Sequence, residues 1–509
     1  MRHTNAGALF VDQYQLTMAQ LYFREGLADD SARFDYFFRS YPDYGGHRAG
    51  YGVFAGLGPL LEWMATTSFS AIEIDLLRSQ RADGQESRFR EDFLEWLEAG
   101  ATFASAHVEG MAEGRVVHAH VPIVTVEGPL ALMQMLETPL LNHLNYPTLI
   151  ATKAARVAAA ARGRPVLEFG TRRGPAFGAN AGVRAALIGG ADFTSNVGMS
   201  HLLGLDPKGT HAHSMIQAFL VAGGTELDAF RAYARTYPDD CLLLVDTIDT
   251  LESGLPNAIK VFGELRVAGH QPVGIRLDSG DLANLAVESA QRLDRAGFAE
   301  TSIVVSSDID ELEIGRILSR IDAESLVRGI EPSSVTDRLV YGVGTRLITS
   351  HGSPALGGVF KLAALKKDGQ WRPTLKSSDT PAKIPFPGLK KAWRLYNANG
   401  VATADVIGRP EDAPVPRKPL VGSTSDTADA QRLLPASDVD EVESLHGELF
   451  AGGKPSAVPA ALDELRRRRS DDISRLPAAV RELVDPAGYP VLMTDGLRDL
   501  RASLLDALT

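Results

Sequence analysis

Six stretches of the sequence end an apolar run with side chains that can bind anions, carry protons or hold a metal ion. They are Glu168 with Arg172 and Arg173, Thr194 with Asn196, Asp246 with Thr247, Arg276 with Asp278 and Asp281, Ser307 with Asp308, and Gly344 with Thr345. A seventh, GTHAHSMIQAF from Gly209 to Phe219, sets two histidines around one alanine at the start of a helical pattern. Imidazole serves at such a place as a base, a metal ligand or a phosphoryl acceptor. His211 and His213 stand two residues apart, which puts them on different faces of a helix and argues against a shared metal ion.

In DRLVYGVGTRL the missing Cβ atoms let an anion approach the backbone N–H groups beside the Thr345 hydroxyl, although the same glycines would also serve a tight turn. VVSSDIDE ends the preceding run with Ser306, Ser307 and Asp308, and two neighbouring cradles of this kind point to a phosphorylated ligand. In GIRLDSGDL, strand alternation sends Arg276 and Asp278 to the same side. Arginine there suits a carboxylate, and aspartate suits a ribose hydroxyl or a divalent cation such as Mg²⁺; a structural ion pair is the other reading. Asp281, just before LANLAVES, fits a helix N-cap. Adjacent Arg172 and Arg173 do not both point inward, and Arg172 is taken for the site.

These residues need a scaffold that gathers them. Between about residues 164 and 350, short runs rich in Val, Ile and Leu (RPVLEFG, GADFTS, CLLLVDT, PVGIRLDSGD, SIVVSSD, LVYGVGT, and more weakly SLVRGIEP) alternate with amphipathic stretches such as DLANLAVESAQRLDRAG. Continuous apolar runs suit strands covered on both faces, and their alternation with helices is the βαβ signature. The carboxyl ends of parallel strands share one face, where ligands bind. The fold class is therefore α/β, an irregular TIM-like barrel over residues 146–359. A smaller discontinuous α+β domain is expected from 1–145, completed by 360–410, and a linker with a helical C-terminal region over 411–509. The basic run ELRRRRSDD is read as a solvated helix face because acids flank it closely.

Composition narrows the partners. The 509 residues are 44% hydrophobic and 23% charged, with a formal net charge of −12, which suits a globular protein and disfavours nucleic-acid or membrane surfaces. An anionic ligand must then find a local cationic site. The single cysteine, Cys241, sits inside CLLLV and reads as a buried thiol, so neither a disulfide nor a cysteine zinc module is expected. The N-terminal stretch MRHTNAGALFVDQYQLTM has no secretory pattern and no membrane span follows it, so the expected location is cytoplasmic.

The segments DQYQLTMAQLYF, VEGPLALMQMLET, LNYPTLIATKAAR, LEFGTRRGP, ADFTSNV, GTHAHS, VDTIDTLESGLPNA, IRLDSGDL, SSDIDE, YGVGT and LGGVFKL occur in one order over roughly residues 8 to 365. Together they resemble the nicotinate phosphoribosyltransferase family. The resemblance implies transfer of phosphoribosyl from phosphoribosyl pyrophosphate to nicotinate, coupled to ATP, with Mg²⁺, in a homodimer; some relatives carry a cysteine zinc ribbon, which a chain with only Cys241 does not, so no zinc is expected. It implies that His213 of the Thr-x-x-His element is the phosphorylated histidine, with His211 a spacer. Tyr14, Thr210 and Arg276 would hold nicotinate. Thr345 matches the donor-binding turn, which Gly344, Ser307 and Arg172 would complete; Asp278 would stand near the ribose or Mg²⁺. Val11 and Ser307 depart from the residues commoner in the family. A nicotinamide phosphoribosyltransferase and a non-catalytic metabolite-sensing relative are the alternative readings.

Overall fold

The computed structural model describes residues 7–82, 86–377, 384–424 and 430–508. The opening six residues of the N-terminal stretch, and residues 425–429 of the expected linker, lie outside them. The chain forms two compact units, Lys153–Pro354 and the combination of Met1–Thr152 with Ala355–Thr509.

Lys153–Pro354 is built on a sheet of six parallel strands: β1 (Val166–Glu168), β2 (Phe193–Thr194), β3 (Leu242–Leu244), β4 (Gly274–Leu277), β5 (Ser302–Val305) and β6 (Leu339–Val343). Their order is β2-β1-β6-β5-β4-β3, so chain neighbours pair all round except between β2 and β3. The six clear apolar runs are these six strands. SLVRGIEP is not a strand: it is the last turn of helix Glu311–Arg328 and its left-handed stop at Gly329 (φ 65°). Its apolar residues had matched a strand pattern, but they close a helix whose Asp310 cap accepts N–H groups from Leu312 and Glu313 at the other end.

Helix Leu282–Arg295 illustrates how the layers hold together. Asp281 caps it, accepting the Asn284 N–H at 3.3 Å, as its position before the apolar pattern predicts. Ala283, Ala286, Val287, Ala290 and Leu293 recur at helical spacing and are buried. Each fully buried Val or Leu side chain contributes about 1.5–3 kcal/mol. The other carboxylate oxygen of the cap ties outward, since Asp281 Oδ2 meets Arg320 at 2.5 Å.

The other unit contains a seven-stranded antiparallel sheet centred on Ser31–Phe38 and a six-stranded mixed sheet centred on Ala402–Gly408 and Val491–Met493. The region after 410 differs from the expected linker and helix. It supplies strands Leu420–Thr424, Gln431–Leu434, Glu441–Ser444, Gly447–Ala451 and Val491–Met493, besides helices Leu462–Arg475 and Asp495–Asp506. Gln431–Leu434 is an edge strand with three exposed residues, so its strand character is set by pairing and carries no apolar run. Buried Arg394 anchors this sheet by a two-pronged pair with Asp405 at 2.8 and 2.9 Å, and Tyr489 donates to Asp405 at 3.1 Å.

Close approach between a helix start and a barrel strand fixes one glycine. A Cβ on Gly254 would lie 1.9 Å from the Val245 carbonyl oxygen, immediately before Asp246. Gly254→Ala is expected to destabilise the fold by about 1–3 kcal/mol, read as a lower urea midpoint with an unchanged slope.

Candidate active site

The break between β2 and β3 is where the histidine segment lies. The Lys208 N–H donates to the Thr194 carbonyl at the end of β2 at 2.9 Å. Across the gap, the Thr210 hydroxyl donates to the Leu242 carbonyl, and the Leu244 N–H donates to His211 Nε2 at 3.1 Å. Two side chains thus take up edge groups of β3 that a further strand would pair. The His211 ring packs 5.1 Å from Tyr233, and burial pushes its imidazole down to about 4. Neutral His211 is a piece of the barrel wall, a role its spacing alone did not reveal.

His213 opens helix His213–Val221 and points elsewhere. Its Nδ1 lies 3.0 Å from Thr247 Oγ1, and its Nε2 lies 3.9 Å from both Asp246 Oδ1 and Asp278 Oδ2. The Asp246 side chain is nearly fully buried. Its Oδ2 accepts the Asp278 N–H at 3.2 Å and the Ser279 hydroxyl at 2.5 Å, whereas Oδ1 is buried and accepts no hydrogen bond. Asp246 and Thr247 stand out in sequence only as polar residues after a strand. Their approach to His213, more than thirty positions away, needs the fold.

A cavity of about 200 Å³ occupies the barrel interior, with Leu167, Phe193, Leu242, Arg276, Val304 and Val340 supplying one wall residue from each strand. Phe169, Thr210 and Arg276 sit together on it. The guanidinium carbon lies 5.5 Å from the Phe169 ring centroid, so an aromatic face and a cation border one apolar space. Arg276 Nη2 meets Asp278 Oδ1 at 2.7 Å, and Nε donates to Ser306 Oγ at 2.9 Å. Alternation along β4 does bring Arg276 and Asp278 to one side. The arrangement suits a flat ring carrying an anionic group.

The two strand-end loops expected to hold phosphate are joined by Arg346. It pairs with Asp308 and with Asp310, each at 2.9 Å. That hydrogen bond holds the Asp308 carboxyl below its ordinary range. Ser307 is exposed at φ 99°, in the region that favours glycine, and exposed Thr345 follows Gly344. Arg172 and Arg173 are both exposed in the short helix after β1. Glu168 pins that turn from below, accepting the Thr194 hydroxyl at 2.6 Å and the Gly170 N–H, and burial raises its carboxyl. Tyr14 belongs to the other unit, on helix Gln13–Arg24, where its hydroxyl donates to Glu137 at 2.9 Å. Cys241 is buried and its thiol is pushed up to about 12, as expected of an inert core residue.

Among the described residues no group of three His, Cys, Asp or Glu side chains is set to hold a metal ion, and no helix is long and apolar enough to cross a membrane. The free carboxylate oxygens of Asp246 and Asp278 are hard donors that fit Mg²⁺ better than zinc.

A parallel α/β barrel whose strand ends gather a histidine, two acids and an arginine over an apolar cavity has the layout of a barrel enzyme for a small anionic ring substrate. Compared with known proteins, residues 9–145 match the N-terminal domain and residues 389–501 the C-terminal domain of nicotinate phosphoribosyltransferase (NAPRTase). The nicotinate phosphoribosyltransferase of Bacillus subtilis is 42% identical, with 96% of this chain and 93% of that protein covered. That of Caenorhabditis elegans is 33% identical over 96% of this chain and 92% of its own. The crystal structure of human nicotinic acid phosphoribosyltransferase matches with a TM-score of 0.79 at 29% identity, covering 97% of this chain and 99% of that one. This chain belongs to the nicotinate phosphoribosyltransferase family.

The pH response of the barrel wall is testable. Over the interval between the ordinary histidine value and about 4, the unfolded chain binds a proton at His211 that the folded chain does not. Stability from this residue is therefore complete above the unfolded value and declines as pH falls toward 4. His211→Gln keeps an acceptor for the Leu244 N–H and does not titrate. Its melting temperature is expected to fall less than that of the wild type between about pH 7.5 and about pH 5, measured by thermal scanning.

Proposed function

We propose that this chain joins nicotinate to phosphoribosyl pyrophosphate, giving nicotinate mononucleotide and diphosphate, with ATP and water consumed to ADP and phosphate. The observation that carries this reading is Arg276 beside Phe169 at an apolar cavity, paired with an Asp278 that, like Asp246, lies 3.9 Å from His213. Family membership and the 42% identical relative support the same activity.

In the transfer, the pyridine nitrogen forms a bond to C1 of the ribose as the C1–O bond to diphosphate breaks. Positive charge develops on the sugar and negative charge on the leaving group. Arg276 orients the ring through its carboxylate, and Thr210 lies beside it. Thr345, Gly344, Ser307 and Arg172 hold the donor's phosphates, and Asp278 faces the ribose. Mg²⁺, when bound to the diphosphate, would neutralise leaving-group charge, with the free oxygens of Asp246 and Asp278 as its protein contacts. Tyr14 as a nicotinate contact and the homodimer are carried by the family resemblance.

His213 takes the γ-phosphoryl of ATP: a bond forms from Nε2 to phosphorus and the bond to ADP breaks. For Nε2 to carry the attacking lone pair, the proton sits on Nδ1 and is donated to Thr247. Asp246 and Asp278 stabilise an imidazolium formed during transfer, and hydrolysis of the phosphohistidine later returns phosphate. The two enzyme states bind donor and product differently, and through that difference ATP drives the transfer.

The direct test is product formation from phosphoribosyl pyrophosphate with nicotinate, nicotinamide or quinolinate, with and without ATP and Mg²⁺. Nicotinate mononucleotide formed faster with ATP is the expected result; a preference for nicotinamide would replace this reading. His213→Ala is expected to abolish ATP stimulation while leaving slow ATP-independent transfer. Thr345→Ala is expected to raise the KM for phosphoribosyl pyrophosphate about tenfold, with a smaller change for nicotinate, in steady-state kinetics.

A further inference from the structure

Asp278 faces two ways. Its Oδ1 meets Arg276 Nη2 at 2.7 Å and Ser306 Oγ at 2.5 Å, while its Oδ2 lies 3.9 Å from His213 Nε2. Ser306 is 2% exposed and also accepts the Arg276 Nε–H at 2.9 Å. A serine hydroxyl has one proton to give and lone pairs to accept with. The Leu277 carbonyl at 3.3 Å competes poorly for that proton with Asp278 at 2.5 Å. Ser306 is therefore wedged between the two charged groups, accepting from one and donating to the other.

Resting on the function proposed above, we propose that Ser306 is a positioning residue that divides Asp278 between Arg276 and His213, and so sets both selectivity for a ring carboxylate and the coupling of ATP to product.

A guanidinium and a carboxylate pair best as two parallel forks. The edge of Arg276 that Asp278 approaches is the one formed by Nε and Nη2. With Ser306 on Nε, the aspartate is confined to Nη2 through Oδ1 alone. Two consequences follow from that confinement. Oδ2 stays turned toward His213, and the opposite edge of the guanidinium, Nη1 with the second Nη2 proton, is left for a substrate carboxylate. No hydrogen bond to Nη1 occurs among the described residues, and Arg276 borders the cavity.

Without the hydroxyl, the Nε–H loses its acceptor in a poorly solvated place, which is unfavourable. The near remedy is for Asp278 to rotate and take Nε and Nη2 with both oxygens. Oδ2 then leaves His213, and the guanidinium turns with its new partner. A single missing oxygen thus disturbs the ring site and the phosphoryl-acceptor site together.

The experiment compares the full-length wild type with Ser306→Ala and Ser306→Cys. It measures kcat and KM for nicotinate and for phosphoribosyl pyrophosphate, turnover of nicotinamide, and ATP hydrolysed per product formed. In Ser306→Ala the expected result is a KM for nicotinate raised about tenfold and a nicotinate-to-nicotinamide preference reduced by a similar factor. More ATP is hydrolysed per product, while the KM for phosphoribosyl pyrophosphate changes less than about twofold. Ser306→Cys keeps the side chain's place with a weak hydrogen-bonding group, shifts the same quantities in the same direction, and carries the test if the alanine variant does not fold. An unchanged nicotinate KM and ATP ratio, or a uniform loss of kcat without a change in selectivity, overturns the proposal. Absence of nicotinate turnover by the wild type overturns the function beneath it and this proposal with it; normal wild-type turnover with unaffected variants overturns this proposal alone.

Discussion

The interruption of the six-stranded ladder between β2 and β3 is the constraint on which the site depends. Parallel strands present N–H and C=O groups along both edges, and a barrel that does not pair them must satisfy them otherwise. Here the chain between Lys208 and His211 does so, with one backbone N–H, one hydroxyl and one imidazole. Because that segment is tied to Thr194 on one side and to β3 on the other, the next turn of chain begins in a fixed place. His213 is two residues further on and inherits its position from the repair.

A second constraint is electrostatic. The chain carries a formal net charge of −12, and a substrate with a carboxylate or a diphosphate meets an acidic molecule. Arg276 is shared with Asp278, and Arg346 is held by Asp308 and Asp310, so neither cation is a bare point of attraction. Pairing holds these guanidinium groups still and gives direction to the edges left over. The site gains orientation at some loss of raw attraction, which suits a reaction whose demand is alignment of a ring nitrogen with a sugar carbon.

Much of this was legible in sequence because burial leaves a strong trace. The strands of the barrel are covered on both faces and so read as unbroken apolar runs, each followed by the residues that line the mouth. Arg276 and Asp278 could be placed on one side by strand alternation. What could not be read were relations across the fold. Nothing local distinguishes Asp246 and Thr247 from other polar residues at a strand end, nor Ser306 from its neighbour Ser307, although one is enclosed between charges and the other exposed. His211 looked like filler because its partner is the backbone of a strand more than thirty residues later. Gln431–Leu434 was missed because it is a short, exposed edge segment that is a strand only by virtue of what it pairs with, and the buried Val491–Met493 because three residues are too short a run to show a period.

The burial of Cys241 has a practical side. It is the chain's one cysteine, enclosed just before β3 with its thiol protonated at any ordinary pH. The thiolate is the reactive form, so alkylating and oxidising reagents have no ready target in the folded protein. A cysteine introduced at any exposed position would therefore be the sole accessible thiol on the chain. Spectroscopic probes could be attached to it one at a time, and motions of the loops after β5 and β6 followed during turnover, without first removing a native residue.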